Sequence, residues 1–142
     1  RLGLPFSTAY IFLKNREAAV SWICANQLGR RNISPECRRY LIGKRYEMEK
    51  KIGVHNKAGT NQYRKKEVGY KNDTEPSFTG IAGRARERLA DEYHVSGGSV
   101  VRYGAYAQAV DVLSKVEPEL PPRILSGKAK ITCEYVGSLS RR

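Results

Sequence analysis

The chain has 142 residues, 40% of them hydrophobic, and carries 26 Lys and Arg against 14 Asp and Glu, a formal net charge of +12. That length suits one domain with its own core, and no apolar run approaches the roughly 18 residues that would span a bilayer. The basic excess favours a polyanionic partner, because each cation placed on a phosphate releases condensed counterions.

Residues 8–13, with Tyr10, Ile11, Phe12 and Leu13, read as a short strand after a turn at Gly3, Leu4 and Pro5. Asn15 has the character of an N-cap, with Glu17 in the first turn facing the positive end of the dipole. Ala18, Ala19, Val20, Trp22 and Ile23 then support a helix to about Leu28, ended by Gly29. One strand and one helix cannot bury themselves, so this piece reads as the edge of something larger.

Ser34, Pro35 and Glu36 mark a second helix start, since Ser caps, Pro suits the first helical position and Glu complements the dipole. The helix is expected to run to Lys51 and stop at Gly53. At 100° per residue Cys37, Leu41, Met48 and Ile52 share one face, expected to be core. Arg39, Gly43, Tyr46 and Lys50 fall opposite, either as a surface resting on phosphates or as a plain solvated face. Residues 53–80 are rich in Gly, Asn, Lys and Thr without periodicity, and read as a mobile basic segment. Arg64, Lys65 and Lys66 in it either touch phosphates nonspecifically or keep it solvated.

Ala82, Ala85, Leu89 and Tyr93 form the stripe of a third helix, broken at His94, Val95 and Ser96. A further helix starts at Gly97, with Val100, Ala107, Val110 and Leu113 apolar. Two helices joined by about three residues, the second capped by Ser96, make a helix-turn-helix arrangement. Ala90 falls at the helix crossing, Val95 beneath the turn, and Val100 anchors the second helix. His94 occupies a turn position that tends to need a positive φ and is more often Gly. Pro118, Pro121 and Pro122 interrupt the long helix, residues 123–127 form one turn with a Gly stop, and Thr132 caps a last helix holding Tyr135, Val136 and Leu139.

The candidate DNA-facing set follows from this corner. Ser96, Gly97, Gly98 and Ser99 form the N-terminal turn of the second helix, where short side chains let backbone N–H groups approach a phosphate. Arg102 lies about one turn further on, and Arg bidentate to guanine is the commonest specific base contact. Tyr106 belongs to the same set. Arg30, Arg31, Arg39 and Lys50 are the candidate phosphate contacts, because residues 30–71 hold 13 Lys and Arg against 4 Glu. These basic stretches lack the large apolar face with Trp or Phe that membrane-surface helices use, so no membrane partner is expected.

Cys24, Cys37 and Cys133 are odd in number and widely spaced, which argues against a disulfide framework and a zinc ribbon and fits buried thiols in a reducing cytoplasm. No P-loop, paired carboxylates or nucleophile–base spacing is present, so neither an enzyme nor a cofactor site is expected.

Two stretches carry a family resemblance. Asn26-Gln27-Leu28-Gly29-Arg30-Arg31-Asn32-Ile33-Ser34-Pro35-Glu36, continued by Arg39-Tyr40-Leu41-Ile42-Gly43-Lys44-Arg45-Tyr46, is similar to ParB-type partition proteins and their sporulation-regulator kin. So are Glu87-Arg88-Leu89-Ala90-Asp91-Glu92-Tyr93-His94-Val95-Ser96 and the tail Ile124-Leu125-Ser126-Gly127. In that family an α/β domain binds CTP and a following helical domain binds a centromere-like DNA site.

The resemblance implies a mainly α chain: a short β-α remnant of an α/β domain over residues 1–32, then a helix-turn-helix bundle over residues 33–142. It implies duplex DNA as partner, a possible homodimer, and a bacterial cytoplasmic location on nucleoid or plasmid, with partition and transcription regulation both open. The helices after Val110 leave a second reading, a dimerisation module without sequence-specific DNA binding. The nucleotide motif that usually reads Glu-Asn-x-Gln-Arg stands here as Ala25-Asn26-Gln27-Leu28-Gly29-Arg30, and the earlier nucleotide motifs are absent, so CTP is not an expected ligand of this chain.

Overall fold

A computed structural model describes residues 7–55, 81–129 and 131–139. They form six helices: α1 (Arg16–Leu28), α2 (Pro35–His55), α3 (Ile81–Tyr93), α4 (Gly97–Val116), α5 (Leu120–Leu125) and α6 (Cys133–Leu139). Most of the expected basic linker, with Arg64, Lys65 and Lys66, lies outside the described residues, as does the turn at Gly3, Leu4 and Pro5.

Local chemistry starts each helix where the sequence placed a cap. Asn15 Oδ1 accepts the Ala18 N–H at 2.8 Å and opens α1. The Ser34 hydroxyl accepts the Cys37 N–H at 3.0 Å, and it also donates to the Leu125 carbonyl, joining the start of α2 to the end of α5. Thr132 Oγ1 accepts the Tyr135 N–H at 3.3 Å before α6.

Three expectations fail here. Residues 7–13 have no regular structure, and no strand lies among the described residues to pair with them; Tyr10 and Phe12 stand fully exposed. A β-prone run needs a partner strand to become one. Second, α2 continues through Gly53 to His55, because one glycine weakens a helix by about 1 kcal/mol without ending it.

Third, the faces of α2 are not core on one side and solvent on the other. This helix is central, packing against α1, α3, α4 and α5. Its supposed outer residues Gly43 and Tyr46 are buried against α4. A Cβ on Gly43 would lie 1.9 Å from the Tyr103 carbonyl oxygen, and one on Gly104 would lie 2.9 Å from the Tyr46 ring. The two helices therefore cross nearly backbone to backbone, an approach that only glycine allows.

Three apolar clusters hold the bundle. Cys24 and Leu28 of α1 meet Leu41 and Ile42 of α2. Tyr46 of α2 meets Ala85 and Leu89 of α3 and Val100 of α4. Ala109, Val110 and Leu113 of α4 meet Ile124 of α5 and Val136 of α6. Leu89, Val100, Ile124 and Val136 are wholly enclosed, and burying each such side chain contributes about 1.5–3 kcal/mol.

The corner between α3 and α4 is three residues long. His94 adopts φ +54°, the left-handed conformation expected at that turn position. The Val95 N–H then returns to the Ala90 carbonyl at 3.0 Å, and Val95 and Ala90 pack on the Leu89–Val100 cluster. Beyond Val116 the chain breaks at Glu117, as the following prolines require, and Gly127 takes φ +75° after α5. Among the described residues no helix is long and apolar enough to cross a membrane.

Candidate nucleic-acid interface

The first turns of α4 form a small hydrogen-bonded unit. Ser96 Oγ accepts the Ser99 N–H at 3.1 Å and lies 2.9 Å from Ser99 Oγ. Ser99 Oγ in turn accepts from Arg102 Nη at 3.2 Å, so the guanidinium is held over the capped end of the helix. Arg102 is exposed and joins no ion pair among the described residues. Gly98 is exposed, and a Cβ there would have only Ser96 Oγ, at 3.9 Å, within contact range. Gly97 is half-buried, and a Cβ there would press on the Arg86 side chain at 3.2 Å. The structure thus brings Ser96, Gly97, Gly98, Ser99 and Arg102 together.

Tyr106 does not belong with them. It is 3% exposed and packs in the cluster with Ile124 and Val136. Burial pushes its phenol up to about 12. Four residues turn a helix about 40° past a full circle, and that rotation carries Tyr106 inward toward α5 and α6.

The cations of α2 are mostly committed within the fold. Lys50 bonds the Glu47 carboxylate at 2.8 Å and rests 4.9 Å from the Tyr46 ring centroid. Arg39 lies 3.7 Å from Glu36 on the preceding turn. Lys44 pairs with Asp111, which also accepts from the Tyr40 hydroxyl at 2.8 Å. Burial, then this bond to Asp111, drives the Tyr40 phenol well above its ordinary value.

Arg45 is the most enclosed of these cations, its side chain 11% exposed. It bonds Glu49 at 3.1 Å, Glu92 at 2.5 Å and the Tyr93 hydroxyl, and its guanidinium lies 5.5 Å from the Tyr93 ring. Arg88 closes the network on Glu49. Burial alone would raise the Glu92 carboxyl, yet the bond and charge of Arg45 hold it below its ordinary value. Arg39 and Lys50, expected at phosphates, therefore have carboxylate partners of their own, whereas Arg30 and Arg31 are exposed between α1 and α2.

Arg38 is an exposed cation that sequence reasoning missed. Arg38 stands beside the paired Arg39 and lies 5.9 Å from the Tyr93 ring, next to the corner. The available signal was Glu36, three residues before Arg39, a spacing that pairs Arg39 and leaves Arg38 to point elsewhere.

Two concavities flank α4 and α2. A cleft of about 540 Å³ lies between α1, α2 and α3, where Arg45, Glu49 and Arg88 are bound to one another. A groove of about 690 Å³ lies between α4 and α6, with Ser99, Arg102 and Gln108 on one side and Glu134 and Gly137 on the other. Cys24 is buried and Cys37 and Cys133 are half-buried, all as free thiols, and burial raises the thiols of Cys24 and Cys37. No family model, curated protein or solved structure matches this chain.

Proposed function

We propose that the chain binds duplex DNA, with α3, the corner and α4 acting as a helix-turn-helix whose recognition helix is α4. The observation that carries this reading is Arg102: exposed, without an ion pair among the described residues, and fixed by Ser99 over the N-terminal turn of α4. An arginine so presented can form two parallel bonds to guanine in the major groove. Exposed Gly98 and the capped Ser96–Ser99 turn leave room for a phosphate near the helix start. Arg30, Arg31 and Arg38 supply sequence-independent phosphate contacts. The resemblance to ParB-type proteins extends the proposal to partition or gene regulation on bacterial DNA.

The test is a salt titration combined with selection of a preferred site from random duplexes. Affinity falls steeply as salt rises. Arg102→Ala lowers affinity for the selected duplex by about 1–3 kcal/mol and leaves a scrambled duplex nearly unchanged. A flat salt response, or equal loss on both duplexes, overturns base reading by Arg102.

A second reading has one observation in its favour. Val101, Val112 and Val116 are 45%, 42% and 77% exposed along α4, and Ala105 is exposed between them. These intervals suit helix pairing, and a second copy covering them would make α4 a dimer seam. Sedimentation of the free protein separates the readings: a stable dimer dispersed by Val112→Glu favours the seam.

A further inference from the structure

We infer that Glu134, on α6, is a second specificity residue of the DNA face, accepting a hydrogen bond from the exocyclic amine of a cytosine. The inference rests on the DNA reading of α4 and deepens it. Glu134 and Arg102 line the same groove of about 690 Å³ from the two helices that form it. The two charges face the same groove, and among the described residues neither joins an ion pair. Arg102 instead bonds Ser99, and Glu134 stays exposed in the first turn of α6. In the cleft between α1, α2 and α3, by contrast, Arg45 and Arg88 both bond Glu49.

A groove offering guanidinium N–H donors on one side and a carboxylate acceptor on the other matches a G·C pair seen from the major groove. Guanine presents the O6 and N7 acceptors there, and cytosine presents the N4 amine as donor. The same carboxylate repels phosphates, so a backbone entering the groove in a wrong register is disfavoured. Glu134 thereby contributes to discrimination while lowering total affinity. Its helix is held in place independently of the charge, through Val136, which is wholly buried against α4 and α5.

The experiment compares wild-type protein with Glu134→Gln on the duplex selected by the wild type, on the same duplex with each G·C pair changed to A·T in turn, and on a scrambled duplex. Glu134→Gln should bind the scrambled duplex more tightly than wild type. It should also lose at least about fivefold of the preference at one G·C position, the lower end of what one base contact gives. Thermal unfolding of the variant, unchanged because Glu134 is exposed, shows that the fold is intact. If wild-type protein binds no duplex, the DNA reading itself fails and takes this inference with it. If wild type selects a site and Glu134→Gln keeps the same preference at every position, the DNA reading stands and Glu134 has no part in it.

Discussion

The two basic surfaces of this molecule use their charge in opposite ways. Residues 30–55 hold eight Lys and Arg, of which Arg39, Lys44, Arg45 and Lys50 are ion-paired within the bundle. The first turns of α4 hold one cation, Arg102, and it joins no ion pair among the described residues. Charge density along the sequence therefore points at α2, while charge available to a partner also sits at the capped end of α4. A count of Lys and Arg measures the first quantity. Only the positions of the carboxylates, three or four residues along the helix or on a neighbouring one, reveal the second.

The sharpest way to break this comparison is to disturb the contact that seats α4 on α2. Gly43→Ala places a methyl group 1.9 Å from the Tyr103 carbonyl oxygen, where backbone must move. We expect a loss of about 3 kcal/mol in denaturant unfolding, at the upper end of overpacking costs. Unchanged stability would mean that the helices part without penalty and that the crossing is loose.

The next effect separates a committed cation from a free one. Arg45→Ala removes the ion-pair partner of Glu92, one of the two cations on Glu49, and the contact with Tyr93. Breaking a buried pair costs about 3–5 kcal/mol. Glu92 is 40% exposed and screened by solvent, so we expect about 2 kcal/mol here. Lys51→Ala, on the exposed edge of the same helix, should stay within about 0.5 kcal/mol. Equal losses would show that the network around Arg45 adds nothing to stability.

Sequence reasoning located helix starts better than helix faces, and the caps and Gly43 show why. Ser96, Asn15, Ser34 and Thr132 all cap as their residue types predict, and His94 takes the left-handed turn, because caps and turns depend on a few adjacent atoms. Gly43 and Tyr46 were assigned to the wrong side because periodicity assumes one buried face. A helix in contact with four others buries several. At the proposed DNA face, the grouping of Ser96–Ser99 with Arg102 was legible from their offset to the turn. Tyr106 was not, since only the docking of α5 and α6 decides which side of α4 is covered.

A smaller effect concerns binding. Lys50 is held by Glu47 and Tyr46, so Lys50→Ala should change duplex affinity by less than about twofold and leave the salt dependence as it was. A true phosphate contact would lower the slope by about 0.9, and that result would show Lys50 leaving Glu47 for DNA.

The smallest effect is a pH dependence. The Glu92 carboxyl lies below its ordinary value of 4.5 in the folded chain, so the unfolded chain binds its proton first as pH falls. Its contribution to stability is complete above that ordinary value and is lost as pH falls through the lowered one. Unfolding midpoints measured from about pH 6 to about pH 3 should drop further for wild type than for Glu92→Gln. Parallel curves would remove Arg45–Glu92 from the account.

The Ser34 hydroxyl ties two points 91 residues apart, capping α2 while donating to the last carbonyl of α5. The start of the central helix is therefore joined to a segment synthesised 91 residues later. During translation the Cys37 N–H can bond Ser34 as soon as α2 forms, whereas the bond to Leu125 waits until that residue has left the ribosome. Contacts of such long sequence separation slow folding, because the loop between them must be closed before they return any stability. The joint between α2 and α5 is in this sense a late one, and a chain cut before Leu125 would lack it.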